Sequence, residues 1–174
     1  MADAGERATA LHEAAHAVAD ERLDFGCAEV SIEPRPGTLG RASHVYEDGT
    51  DDDLILALLV GYAAAVRGGE DPADAKEGAN EDLERASEIL ARSGRTDLGT
   101  HLARAEAFVR DNWPAIERVA AELLEWCTIG GQELQVVLDV ADGNATDEDL
   151  ARYRLMSRRV GRLPEGRPNG GEHA

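Results

Sequence analysis

The apolar run "LILALLVGYAAAV" at 54–66 sets the first limit on what this chain can fold into. It falls well short of the roughly 20 residues that a membrane-spanning helix needs, and Gly68-Gly69 stops it. It therefore reads as an apolar helix over about 52–67, with Thr50 or Asp51 as its N-terminal cap. Hydrophobic residues make up 43% of the 174 positions but aromatics only 4%. A core of that composition must be built mostly from Ala, Leu and Val, which favours packed helices, and the length suits one domain.

The remaining segments fit that picture. Residues 6–23 form an alanine-rich first helix, followed by extended stretches at 28–34 and 38–46 joined by a turn at "RPG". After the apolar helix comes a loop, "GGEDPADAKEG". A third helix runs from Asn80 to about Ser93 with Gly94 as its stop, and a fourth spans about 98–112. Pro114 opens a fifth, since proline is tolerated in a first helical turn. "GQELQVVLDVA" and "TDEDLARYRLMSRRV" close the ordered part. The expected fold is mainly α (α+β), with a small sheet of two or three short strands after the first helix. One domain is expected over 1–163, and the Gly/Pro-rich stretch 164–174 is expected to be a disordered tail.

Charge narrows the function classes. A formal net charge of -17 repels nucleic acid and anionic membranes, which are excluded as partners. No signal peptide or membrane insertion is expected. Two cysteines, Cys27 and Cys127, are too few for a disulfide framework and suit a reducing, cytoplasmic setting.

The stretch "LHEAAHAV" at 11–18 carries H-E-x-x-H. Spaced four apart on a helix, His12 and His16 project from one face and can bind a single ion. Thr9, His12, Glu13 and His16 form a narrow polar stripe between apolar flanks, so the stripe needs a partner inside the protein. A metal is one answer; a pair of core histidines bonded to backbone carbonyls is the other. A catalytic zinc site takes three protein ligands and an open position. The metzincin continuation is excluded because Ala19 and Arg22 stand where its glycine and last histidine would be.

A third ligand must come from elsewhere, and the helix from Asn80 offers Asp82. Ala79, Leu83, Ala86 and Leu90 recur on one apolar face, and Asp82 shares it, whereas Glu81, Arg85 and Glu88 lean away. A carboxylate aimed at a core calls for a metal or a paired charge. A first-turn aspartate favoured by the helix N-terminus fits the same pattern, and the residues alone leave both readings open. Glu77, Glu81 and Glu84 are fallback ligands.

"ALHEAAHAV" (10–18), "IEPRPGTLG" (32–40), "GANEDLERAS" (78–87) and "EWCTIGGQEL" (125–134) occur in order within residues 6–140. Together they resemble the peptidase domain of the FtsH-type ATP-dependent zinc metalloproteases. The resemblance implies Zn2+ held by His12, His16 and Asp82, with Glu13 as the catalytic general base. It implies a zinc metalloendopeptidase that cuts peptide bonds in flexible or unfolded segments, with the substrate extended along the strand at 38–44.

The departures are specific. The family carries an ATPase module and membrane segments that these 174 residues lack, so a separate ATPase or adaptor protein is the expected partner beside the polypeptide substrate. The oligomeric state is left open. The family's G-G-R-x-A-E element reads "VGYAAA" at 60–65, placing Ala65 where a glutamate would support a ligand. Such a loss lowers metal affinity or activity by ~10–100-fold. Arg41 replaces an aromatic or aliphatic residue beside the expected cleft. These departures sustain an alternative, a catalytically degenerate peptidase fold kept as a binding or regulatory module. Elsewhere, Cys27 reads as a small buried thiol, His44 as a strand histidine with an oxyanion role as its alternative, and "DDD" (51–53) as a helix start. His101 and His173 belong to no constellation.

Overall fold

Methyl side chains over most of its circumference let the first helix be approached closely from two sides. The computed structural model describes residues 4–34, 40–44 and 49–160. In it, α1 (Ala4–Arg22) lies against α2 (Asp51–Arg67) and α6 (Trp113–Trp126). Ala10, Ala14, Ala15, Ala17, Val18 and Ala19 are fully buried. The helix ends where Asp24 and Gly26 turn to positive φ (61° and 66°), and the Phe25 and Gly26 N–H groups close onto the Asp20 carbonyl.

The apolar run lies within α2 as expected. Thr50 is its cap, accepting from the Asp53 N–H at 3.2 Å, and Asp51, Asp52 and Asp53 fill the first turn, where the helix dipole favours negative charge. Ile55, Leu59 and Val60 are completely buried, each stabilising the fold by about 1.5–3 kcal/mol. The rest of the core follows the same composition: Leu11, Ile116, Leu123, Ile129, Leu134 and Leu150 are its largest enclosed side chains, and Phe25 is an exception among aliphatics. Among the described residues no helix is long and apolar enough to cross a membrane.

The remaining helices are α3 (Pro72–Gly78), α4 (Asn80–Arg92), α5 (Leu98–Asp111), α7 (Gly131–Ala141) and α8 (Asp147–Val160). α3, α4 and α5 all pack on α2, while α7 joins α6 to α8. The segment expected to be a plain loop contains α3. Asp71 caps it, accepting from the Ala73 N–H at 2.8 Å, and Pro72 sits in the first turn. Gly94 turns to φ 70° just past α4, as expected of a stop.

The sheet is antiparallel with order β2-β1-β3, formed by β1 (Cys27–Ser31), β2 (Arg41–His44) and β3 (Thr128–Gly130). The first two strands follow α1 as expected. The third does not: it comes from the turn between α6 and α7, where Cys127 at φ 62° ends α6. β2 therefore stands at an edge, beside α1. The turn at 35–37, both ends of the stretch 38–46, and the tail 164–174 lie outside the described residues.

Candidate metal centre

Helical spacing puts His12 and His16 on one face of α1, and α2 passes directly beneath them. His16 Nδ1 lies 2.7 Å from the Ala57 carbonyl, so the ring donates there and turns Nε2 outward. A methyl added at Gly61 would sit 2.5 Å from His16 Nε2 and 2.6 Å from His12 Cε1. Only a glycine lets both rings lie against the α2 backbone.

Asp82 enters from the first turn of α4, whose apolar face (Ala79, Ala86, Leu90) is buried against the core. Its Oδ2 lies 3.4 Å from His12 Nε2 and 3.3 Å from His16 Nε2, and the two Nε2 atoms are 3.0 Å apart. A tetrahedral ion with ~2.1 Å bonds sets neighbouring ligand atoms roughly 3.4 Å apart. The three donor atoms thus fit a zinc-sized cation, and among the described residues they are the one such group of His, Cys, Asp or Glu. His12 Nδ1 makes no hydrogen bond among the described residues. Ala65, one turn beyond Gly61 on α2, carries only a methyl group where the resembled family has a glutamate.

The cluster also holds a proton tightly. Burial raises the Asp82 carboxyl, but hydrogen bonds and charge from both histidines overcome that and hold it well below the carboxylate range. Burial pushes His16 down, yet the Asp82 bond and charge, Glu13 and the Ala57 carbonyl together raise it to about 9. His12 is lowered, chiefly by burial. A cation must displace the proton on His16. Zinc binding to the apo-protein at pH 7 is therefore expected to release about one proton per chain. The dissociation constant should fall about tenfold per pH unit as pH rises, levelling off above about 9. Calorimetry in buffers of different ionisation enthalpy measures the released proton; no release would remove His16 from the ligand set.

Glu13 sits beside the cluster, 7% exposed, and its carboxylate makes no hydrogen bond among the described residues. Gly40, just ahead of β2, packs on it: a Cβ there would lie 2.6 Å from Glu13 Cγ and 2.7 Å from Oε1. Burial is the main reason its carboxyl rises to about 7; Asp82 adds to the rise and His16 opposes it. A carboxylate poised there takes and returns a proton near neutrality.

These groups open into one cleft of about 980 Å³, walled by the edge strand at Gly40, Arg41 and Ala42 and by α3 and α4 opposite. Thr9, His12, Glu13 and His16 all line it, as the stripe on α1 predicts. Glu77 and Glu81 line it too, whereas Glu84 binds Asn80 at 2.9 Å and is not part of the lining. Cys27 is a buried thiol, pushed up to about 12 by burial first and by Asp20 second, and lies outside the lining. His101 is buried on α5, away from the cleft. His173 and the side chain of His44 are outside the described residues. Sequence reasoning passed over Gly61, Gly40 and the Ala57 carbonyl. A lone glycine inside an apolar helix was the available signal, because it weakens the helix unless something must pack closely.

No family model matches the chain, and no curated protein matches it.

Proposed function

We propose that the protein is a zinc-dependent metalloendopeptidase acting on flexible or unfolded polypeptide segments, similar to the FtsH-type peptidase domains. The observation that carries the reading is the meeting of His12 and His16 from α1 with Asp82 from α4 at ligand spacing. The Glu13 carboxylate, which makes no hydrogen bond among the described residues, lies in the same cleft. Zinc held there would supply Lewis acidity, polarising the scissile carbonyl and making water nucleophilic near neutral pH.

The protein's own groups do the rest. His16 is oriented by the Ala57 carbonyl and both rings by the flat surface at Gly61, so the donor atoms are fixed before any ligand arrives. The edge of β2 offers backbone groups to a substrate laid alongside it as a further strand. Glu13 takes the proton of the attacking water as its oxygen adds to the carbonyl carbon. It then delivers that proton to the departing amine as the C–N bond breaks. The hydroxyl oxygen stays with the new carboxyl group.

A second reading, a binding or regulatory module on a degenerate peptidase fold, is favoured by Ala65, a methyl group where the resembled family has a glutamate. Metal content and cleavage separate the two. The parent, purified without chelator, is expected to hold about one zinc per chain, and Asp82→Ala to lose most of it, because two imidazoles alone leave the site short of a ligand. Elemental analysis measures both. Zinc in the parent without cleavage of any member of a peptide library would favour the binding module. An Asp82→Ala protein with undiminished zinc would sink the three-ligand site.

A further inference from the structure

The two walls of the cleft differ in charge. The wall formed by α3, α4 and the turn ahead of α3 carries Glu70, Asp74, Glu77 and Glu81, none of which is in an ion pair among the described residues. Of the cleft's two arginines, Arg41 on the opposite wall is already engaged by Glu29 of β1, and Arg85 is in no ion pair among the described residues. A divalent cation at the cluster would answer Asp82 and Glu13 but not these four. Among the described residues, four carboxylates thus face one unpaired guanidinium. Burial first, and the charge of Asp74 second, raise the Glu70 carboxyl above the ordinary range. The Glu13 carboxylate, 7% exposed and without a hydrogen bond among the described residues, independently marks the cleft as a place built for a ligand.

We propose that the cleft selects polypeptide segments carrying lysine or arginine, with Glu70, Asp74, Glu77 and Glu81 as the residues that set this preference. The proposal rests on the peptidase reading of the cleft. An extended peptide paired to β2 presents alternate side chains to opposite sides. Pairing with the edge strand is blind to side-chain identity, so discrimination falls to the wall that the side chains meet. Cationic side chains there relieve the repulsion among the four acids, and acidic ones add to it. The overall charge of -17 steers the same class of substrate toward the protein.

Because that overall charge attracts any basic peptide, the test needs a matched control. Two labelled peptides, identical except for Lys or Glu at alternate positions, are titrated by fluorescence anisotropy into zinc-loaded Glu13→Gln protein, which binds without turnover. The same titrations use that protein with its wall neutralised (Glu70→Gln, Asp74→Asn, Glu77→Gln, Glu81→Gln). A third protein has four remote exposed acids neutralised instead (Glu88→Gln, Glu125→Gln, Asp139→Asn, Glu148→Gln), giving the same change in net charge. Circular dichroism checks that each is folded.

The Lys peptide is expected to bind about tenfold more tightly, the product of roughly two exposed ion pairs. The preference should persist in the remote variant, vanish in the wall variant and shrink with added salt. Equal binding of the two peptides, no binding of either, or an equal loss of preference in both variants would overturn the proposal. Cleavage of the same peptides by protein with Glu13 intact keeps the two ideas apart. A wall-dependent preference without cleavage would overturn hydrolysis and leave the selectivity standing; cleavage blind to charge would do the reverse.

Discussion

Glu13→Gln is expected to keep the parent's zinc content and lower peptide hydrolysis by ~10²–10⁴-fold. The amide has the size and shape of the carboxylate, so the contact with Gly40 and the packing of α1 survive. Glu13 is not among the three clustered donor atoms, so zinc should remain. What disappears is the proton acceptor. In the metal-free protein burial raises the carboxyl to about 7; a dication at the cluster would favour the carboxylate, so the rate should rise with pH through a value below 7.

The stability linkage has its own sign. A carboxyl raised from its ordinary 4.5 costs stability as pH climbs from there through 7, because the fold must then bury a charge. Glu13→Gln should accordingly melt no lower than the parent at pH 8, which separates a lost base from a damaged fold. Cleavage by the variant at the parent's rate, with zinc bound, would eliminate Glu13 as the base.

The second large effect concerns Gly61→Ala, where two principles predict opposite signs. In an ordinary helix interior alanine is better than glycine by about 1 kcal/mol, so the variant would melt higher. Here the new methyl would lie 2.5 Å from His16 Nε2 and 2.6 Å from His12 Cε1. Neither ring can retreat without losing its partner, Ala57 for His16 and Asp82 for His12. We expect the clash to prevail: destabilisation of about 1–3 kcal/mol and zinc affinity lower by ~10–100-fold. Thermal melting and zinc titration read these separately. A higher melting temperature with unchanged zinc affinity would show that the rings do not depend on Gly61.

How legible each element was depends on how local its cause is. α2, α4 and α6 carry apolar periodicity closed by Gly, Pro or capping residues, so their places could be read from a few neighbouring positions. α3 has one buried residue, Ala75, and no periodic stripe. Its one local signal is the Asp71-Pro72 pair, which suits a loop equally well. β3 is three residues long and is a strand because Glu29 to Ser31 pair with it from far away in the chain. Nothing within "TIG" requires that.

The same division runs through the candidate site. The relation of His12, Glu13 and His16 is set by helical spacing, so the sequence by itself determined that polar stripe, and the apolar face that Asp82 shares on its helix. Whether Asp82 was a helix-end charge or a group meeting the histidines was decided only by α2 carrying α4 and α1 on adjacent sides. The acidic wall, the surface at Gly61 and the contact of Gly40 with Glu13 are likewise tertiary. Each joins residues whose separation along the chain carries no information about their separation in space.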